Sequence, residues 1–355
     1  MQNPFTRYPR SVSASLNQVR VAVLPAGITD ENLIGKTGYG LLSKQVLLDR
    51  IQGRMAALQL PTHLTDLFRG FDHCFVHDEP FVRLTAKQVA GQYGRCLATL
   101  LLTLKEGQPA NRAARPEWGD EQWAYWYTIN QVWLGGGLMA GHFGQHVLAE
   151  AQRLIKAAGY HQYRLKLTKQ PAYLPLIGAT STLRPDTETA LVFDFGQSQI
   201  KRAVALLVHG KLQNLHLLRS LPAACGPLLK EDGPDLAWAK AHMEHITLIF
   251  SLTWRQIQAA SWQPQQVVAA MACNLYQGHP GPKEWGCYGR LQELTPNLQD
   301  HLAAQLEQIT GRSHPFHLIQ DAKAAALAHR GARHAAVITL GSAIGIGFPD
   351  DMSEP

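Results

Sequence analysis

The stretch A-L-V-F-D-F-G-Q-S-Q-I-K-R-A-V, residues 190–204, decides how this chain is read. An apolar run ends on a carboxylate, Asp194, and is followed by Gly196, a hydroxyl at Ser198 and a basic side chain at Lys201. Burying a lone carboxylate is costly, so packing does not explain an acid at the end of such a run. Two readings remain open. In one, the strand reaches a surface hairpin and Asp194 is a turn residue. In the other, Asp194 lies near a polyphosphate with Mg²⁺ between them, held mostly through water. Gly196 and Gln197 would then bring backbone to the phosphates, while Ser198 and Lys201 offer a hydroxyl and a positive charge.

Composition narrows the setting. With 355 residues, 46% of them hydrophobic, the chain is long enough for a large core and two domains. The charged fraction of 17% is too low for disorder by charge repulsion. A formal net charge of +6 admits an anionic partner, but Lys and Arg never run beyond two in succession, which argues against a nucleic-acid surface. The five cysteines, Cys74, Cys96, Cys225, Cys273 and Cys287, are widely spaced with no C-x-x-C, and read as free thiols in a reducing compartment. The N-terminal residues carry no signal-peptide pattern and no apolar run approaches a bilayer-spanning length. A soluble, cytoplasmic protein without a membrane partner is expected.

Along the chain, V-R-V-A-V-L at 19–24 alternates like a strand. Helical spacing covers 42–60 and 85–105, and a polar Pro/Gly-rich loop is expected over 106–119. Q-V-W-L-G-G-G at 131–137 reads as a strand entering a glycine turn, with a helix over 143–158 behind it. After a short helix at 174–180 and the opening strand, a strand–turn–strand unit continues to about 218. A helix starts at D-G-P-D, 232–235, and runs to about 260. Strands are expected at 266–273 and 315–321, a buried strand entering a glycine-spaced turn over 335–348, a loop over 277–290, and helices over 297–309 and 322–328. Such alternation means α/β. The tract H-C-F-V-H-D-E, 73–79, holds potential zinc ligands without a recognised spacing and reads as an ordinary polar loop. Trp123, Trp126 and Trp133 read as packing residues, and His142 as a capping or surface side chain.

Two further turns resemble the first. G-S-A-I-G-I-G, 341–347, would cradle an anion with successive backbone N–H groups, or form a plain glycine hairpin. L-G-G-G-L, 134–138, would serve either a ligand or a tight turn. Taken together, the chain resembles the ROK family of sugar kinases within the actin/hexokinase-like ATPase superfamily. The family's first phosphate motif, D-x-G-x-T-x-x-K, is matched by Asp194, Gly196, Ser198 and Lys201. Its N-D-A-N-A-A-A-L segment is similar to Q-D-A-K-A-A-A-L, 320–327, and its second phosphate motif to T-L-G-S-A-I-G-I-G, 339–347. Its adenosine motif is similar to V-W-L-G-G-G, 132–137, and its closing helix to 174–180. The order is rotated: here the adenosine motif precedes the first phosphate motif, as a circular permutation would leave it.

The resemblance implies a two-lobed actin-like ATPase (ribonuclease H-like) fold, circularly permuted, with a cleft between the lobes. One lobe would span 186–330 and the other 1–185 plus 331–355. It implies ATP and Mg²⁺ as cofactors and a γ-phosphate transferred to a hydroxyl of a sugar or sugar-like metabolite. Asp321 would be the general base, with an N-cap on the following helix as the plain alternative. Asp194 would hold Mg²⁺ through water. Gly196, Gln197, Ser198, Lys201, Gly341, Ser342 and Ala343 would meet phosphates, Gly135, Gly136 and Gly137 would border adenosine, and Gln320 and Asn274 would shape the acceptor site. The family's E-x-G-H and C-x-C-G-x-x-G-C segments have no counterpart, and Ala343 replaces a glycine of the second phosphate turn, where it is expected to resist a positive φ. These departures favour a second expectation, a catalytically impaired nucleotide- or sugar-binding regulatory protein. A filament-forming actin relative is a third. The oligomeric state is open, with a homodimer as one expectation.

Overall fold

Strands and helices alternate to give an α/β chain, and the computed structural model describes residues 3–5, 12–61, 63, 66–225, 235–281 and 287–349 of it. The expected helix start at 232–234 lies outside the described residues. The chain divides into two units, Met1–Ala172 with Arg330–Pro355, and Tyr173–His329.

In the first unit the main helix is Pro80–Glu106, buried along one side from Val82 to Leu104. It begins before the expected residue 85 because Pro80 occupies the first turn, where a missing N–H costs nothing. Gly107, left-handed at φ 52°, ends it. The helix His142–Ala157 packs across it at Gly94, where an added Cβ would come within 2.9 Å of the Val147 carbonyl oxygen. Strands β1 (Gln131–Gly135) and β2 (Arg164–Leu167) lie parallel in this unit's sheet.

Three expectations for the N-terminal region need correction. Residues 19–24 form no strand, only an isolated bridge between Arg20 and Thr37. The N–H groups of Ala22 and Val23 instead donate to the Asn111 side-chain oxygen at 2.8 and 3.0 Å, while the Asn111 amide donates back to the Val23 carbonyl. Asn111 is fully buried on the short helix Pro109–Ala113, inside what reads as a plain loop. The periodic run 42–60 is broken as well, into helices Gly38–Leu42 and Lys44–Gln52, because Ser43 turns extended and caps the second.

The second unit opens with the helix Leu174–Ala179 and then builds a sheet from β3 (Thr189–Phe195), β4 (Gln199–Val208), β5 (Lys211–Pro222), β6 (Gln266–Met271) and β9 (Phe316–Gln320). Between β6 and β9 lies the small hairpin of β7 (Leu275–Tyr276) and β8 (His279–Pro280), of which β8 falls inside the 277–290 stretch read as loop. The order is β5-β4-β3-β6-β9, with β3, β6 and β9 parallel and β4 and β5 forming an antiparallel meander on one side. The helix Asp235–Ala259 links β5 to β6, and Leu298–Thr310 leads into β9. Phe193, Phe195, Phe250 and Ile246 are fully or almost fully buried in this unit's core.

The chain then returns to the first unit with β10 (Ala335–Leu340) and β11 (Ile344–Gly347). That sheet has the order β11-β10-β1-β2, so Gln131–Gly135 pairs in parallel with Ala335–Thr339. Both Asn17 amide groups clamp the return, accepting from the Ile344 N–H and donating to its carbonyl, each at 2.9 Å. Trp123 and Trp126 are buried in the core, as read, and half-buried Trp133 carries the Lys166 ammonium 4.8 Å from its ring centre. No helix among the described residues is long and apolar enough to cross a membrane.

The cysteine reading also needs correction. Cys225 and Cys287 are joined by a disulfide, while Cys74, Cys96 and Cys273 are free and buried. The bonded pair lie 62 positions apart in the sequence, so no local spacing betrays it. The chain path through the Asp235–Ala259 helix, β6 and the β7–β8 hairpin brings them to a Cα separation of 5.7 Å.

Candidate functional site

Asp194 is the second-last residue of β3 and is only 3% exposed, which excludes the surface-turn reading. Directly across the antiparallel ladder stands Lys201, whose Nζ donates to Asp194 Oδ2 at 3.1 Å. The D-x-G-x-S-x-x-K spacing is therefore hairpin register: two strand ends and a tight turn set acid opposite base. At Gly196 an added Cβ would come within 2.9 Å of the Gln199 carbonyl oxygen, so the turn leaves little room for a side chain. Its own carbonyl accepts a hydrogen bond from the Tyr288 hydroxyl at 3.1 Å. Gln197 is half-buried beside it and Ser198 is exposed.

Asp321 directly follows β9 and opens the helix Asp321–Leu327. It is the first helical residue rather than the N-cap, which is Gln320 with no side-chain cap bond. Its Oδ1 accepts the N–H of Ala322 at 2.7 Å. The register Phe195–Met271–Gln320 across β3, β6 and β9 puts Asp194 and Asp321 at the same carboxyl end of the parallel strands. In open α/β sheets that end is where ligands bind. Desolvation, and then the nearby charge of Asp194, push the Asp321 carboxyl from 3.8 up to about 7, against the lowering effects of the Ala322 N–H and Lys201. A carboxyl that titrates near neutrality in a coupled pair is a candidate acid–base group.

Gln320 Nε2 donates to Asn274 Oδ1 at 2.8 Å, so the two expected acceptor-site residues meet beside Asp321. The buried Cys273 thiol is pushed up by its burial and further by Asp321, which keeps it protonated. Burial likewise pushes up the Tyr288 hydroxyl, with Asp194, Cys273 and Asp321 adding to it, so Tyr288 serves as a donor. Support comes from the Leu174–Ala179 helix, where an added Cβ on Gly178 would fall onto the Ala324 carbonyl oxygen. Only a glycine lets these two helices approach so closely, and the contact seats the helix that Asp321 begins.

The remaining expected residues lie in the first unit. Gly135 ends β1, Gly136 has φ 90° and Gly137 begins a 3₁₀ turn. A Cβ on Gly136 would collide with the Leu340 backbone, which places the glycine triplet beside the entrance to the 341–343 turn. Gly341, Ser342 and Ala343 are half-buried bends, the Gly341 N–H donating to the Ala343 carbonyl at 3.2 Å. Ala343 is not among the positive-φ residues, so the expected conflict with its side chain does not arise. The Gly341 carbonyl accepts from the Lys44 N–H at 2.9 Å, which brings a basic residue to this turn. The N-terminus of the 142–157 helix is already satisfied, because Asp72 accepts the N–H groups of His142 and Phe143 at 3.3 and 2.8 Å. Exposed His142 has no part in that cap beyond its backbone.

Sequence reading did not single out Tyr288 and Cys273 beside the two acids of the second unit, nor Lys44 and Asn17 beside residues 341 and 344 of the first. Each reaches its place through chain topology, and none belongs to a local pattern that would have marked it. The chain matches no model of a known protein family, and no curated protein shows significant similarity to it.

Proposed function

We propose that this chain is an ATP- and Mg²⁺-dependent kinase that transfers the γ-phosphate to a hydroxyl of a sugar or sugar-like metabolite. In this reading it is a circularly permuted relative of the ROK family with a ribonuclease H-like, actin-like ATPase fold, acting in the cytoplasm. One observation carries the proposal. Two acids far apart in sequence end parallel strands of one sheet, close enough that Asp194 helps hold Asp321 near neutrality. The order β5-β4-β3-β6-β9, a meander joined to parallel strands, supports the fold. The pairing of β1 with β10 supports the permutation, since it seats a C-terminal strand next to an N-terminal one.

The residues suit the cofactor chemically. Asp194 and Asp321 offer hard oxygen donors, which Mg²⁺ prefers, directly or through water. Lys201 and the backbone of the Gly196 turn offer positive charge and a close main chain for phosphate oxygens. When bound, Mg²⁺–ATP supplies the electrophilic γ-phosphorus and much of the charge neutralisation. The chain's own part is positional. Asp321 Oδ takes the proton of the acceptor hydroxyl, and a pKa near the working pH suits that task. Lys201 holds the Asp194 carboxylate in place, and Tyr288 fixes the carbonyl of Gly196 so that the turn is preset. Gln320 and Asn274, bonded to each other, present polar groups beside the base for the acceptor's other hydroxyls.

The test is γ-phosphate transfer from ATP–Mg²⁺ to a panel of sugars, with nucleotide binding followed by thermal shift. Asp321→Asn is expected to lower transfer by roughly 10²–10⁴-fold while nucleotide binding persists. Full transfer in that variant would remove the assigned base. A nucleotide response with no transfer to any sugar would favour the regulatory alternative.

A further inference from the structure

A second cluster of reactive side chains lies in the same unit, outside the carboxylate pair. Cys225 follows β5, His242 lies on the Asp235–Ala259 helix, and Cys287 opens the 3₁₀ segment Cys287–Glu293. All three are buried, His242 completely. The two sulfurs and a ring nitrogen of His242 lie within 4.8 Å of one another. His242 Nε2 stands 3.6 Å from Cys225 Sγ, and sulfur is a weak hydrogen-bond partner for a buried imidazole. Its Nδ1 has no hydrogen-bond partner among the described residues. The ring is held flat against Trp238, with centroids 4.0 Å apart, and edge-on to Tyr288 at 5.2 Å.

A disulfide needs no histidine. A fully buried imidazole aimed at two sulfurs, and poorly satisfied by them, is instead the donor set of a soft-to-borderline metal ion. We propose that Cys225, His242 and Cys287 form a zinc-class metal site, which is filled when the Cys225–Cys287 disulfide is reduced. Two thiolates balance the charge of Zn²⁺, so the loaded site is neutral and suits its aromatic surroundings. Three protein ligands at about 2.0–2.3 Å leave the fourth tetrahedral position for water or another donor.

The exchange balances. A dithiol reductant gives up two electrons and two protons and becomes a disulfide, while the protein disulfide becomes two thiols. Zn²⁺ then binds as the two thiol protons leave to solvent. The reverse needs release of the ion and a disulfide or peroxide oxidant. In either state residues 225 and 287 are tied together, and Cys287 precedes the Tyr288 that clamps Gly196. The site does not depend on the kinase reading, since its ligands are none of the residues assigned to phosphoryl transfer.

The full-length protein, reduced with a dithiol and freed of it without oxygen, is titrated with Zn²⁺ against a chromogenic chelator. In parallel it is titrated with Co²⁺ for thiolate-to-metal absorption. The reduced wild type is expected to bind one equivalent, and the oxidised protein none. His242→Ala and Cys287→Ser are each expected to lose the bound equivalent. Because a variant in a core can misfold, the wild type alone gives a second readout. Zn²⁺ should protect Cys225 and Cys287 from alkylation, as mapped on peptides. No stoichiometric metal on the reduced protein, binding that survives in Cys287→Ser, or a disulfide that dithiols do not open in the folded chain would each overturn the proposal.

Discussion

At the scale of single residues, the behaviour of the site follows from the coupling of Asp321 to its neighbours. The Asp321 carboxyl is raised from 3.8 to about 7 in the folded protein. A carboxyl raised on folding favours the native state fully while both folded and unfolded chains are protonated, and loses that contribution once the unfolded chain ionises ahead of the native one. Its contribution is complete below about 4 and is lost as pH rises toward about 7. Asp321→Asn keeps the neutral form at every pH. It is therefore expected to melt higher than the wild type at pH 8, and nearly equal to it at pH 4, in paired thermal melts. Carbon-13 NMR of the carboxyl should show the coupling directly. Asp194→Asn removes a charge that raises the midpoint and should lower it, while Lys201→Met removes a charge that lowers it and should raise it. Movement of both midpoints in the same direction would contradict the geometry. Asp194 and Lys201 were singled out in the sequence as separate site residues, but their ion pair was not, since it appears only when hairpin register converts the spacing into a cross-strand contact. The Cys225–Cys287 pair was not legible either, since only the fold brings those residues together.

At the scale of elements, two close fits hold the parts in place. Gly178 touches the backbone of the helix that carries Asp321, so Gly178→Ala is expected to cost about 1–3 kcal/mol by overpacking. Urea unfolding measures the loss, and unchanged stability would mean the two helices have room to separate. Asn111 replaces a strand partner for residues 22 and 23, so Asn111→Ala should cost about 1–3 kcal/mol by leaving N–H groups unpaired. The same two positions show where local pattern succeeds and fails. The short helix at 174–179 was legible from its apolar residues, though its role in seating the Asp321 helix was not. The alternation at 19–24 suggested a strand because period two reports which side chains are buried. It does not report what satisfies the backbone, and here a side chain does so. Ser43 and Pro80 mark true helix starts that the apolar periodicity alone overran or missed.

At the scale of the whole molecule, the two units differ in how the chain supplies them. Tyr173–His329 is continuous and contains every strand of its own sheets. Expressed alone, it should fold cooperatively, as judged by circular dichroism and a sigmoidal melt. Residues 1–172 alone lack β10, the strand between β1 and β11, and should not fold. The α/β class was legible from the alternation of strands and helices, and the order of the glycine-bearing motifs from the sequence itself. The pairing of strands from opposite ends of the chain depends on contacts between distant residues, which no window of sequence displays. The central claim is that the acids at 194 and 321 serve phosphoryl transfer. The most direct measurement is the rate of γ-phosphate transfer from ATP–Mg²⁺ to a sugar panel between pH 5 and pH 9. The expected result is transfer to at least one sugar, rising with pH to a midpoint near 7 and lowered roughly 10²–10⁴-fold in Asp321→Asn. A wild-type protein that neither transfers the phosphate nor hydrolyses ATP anywhere in that range would contradict the claim.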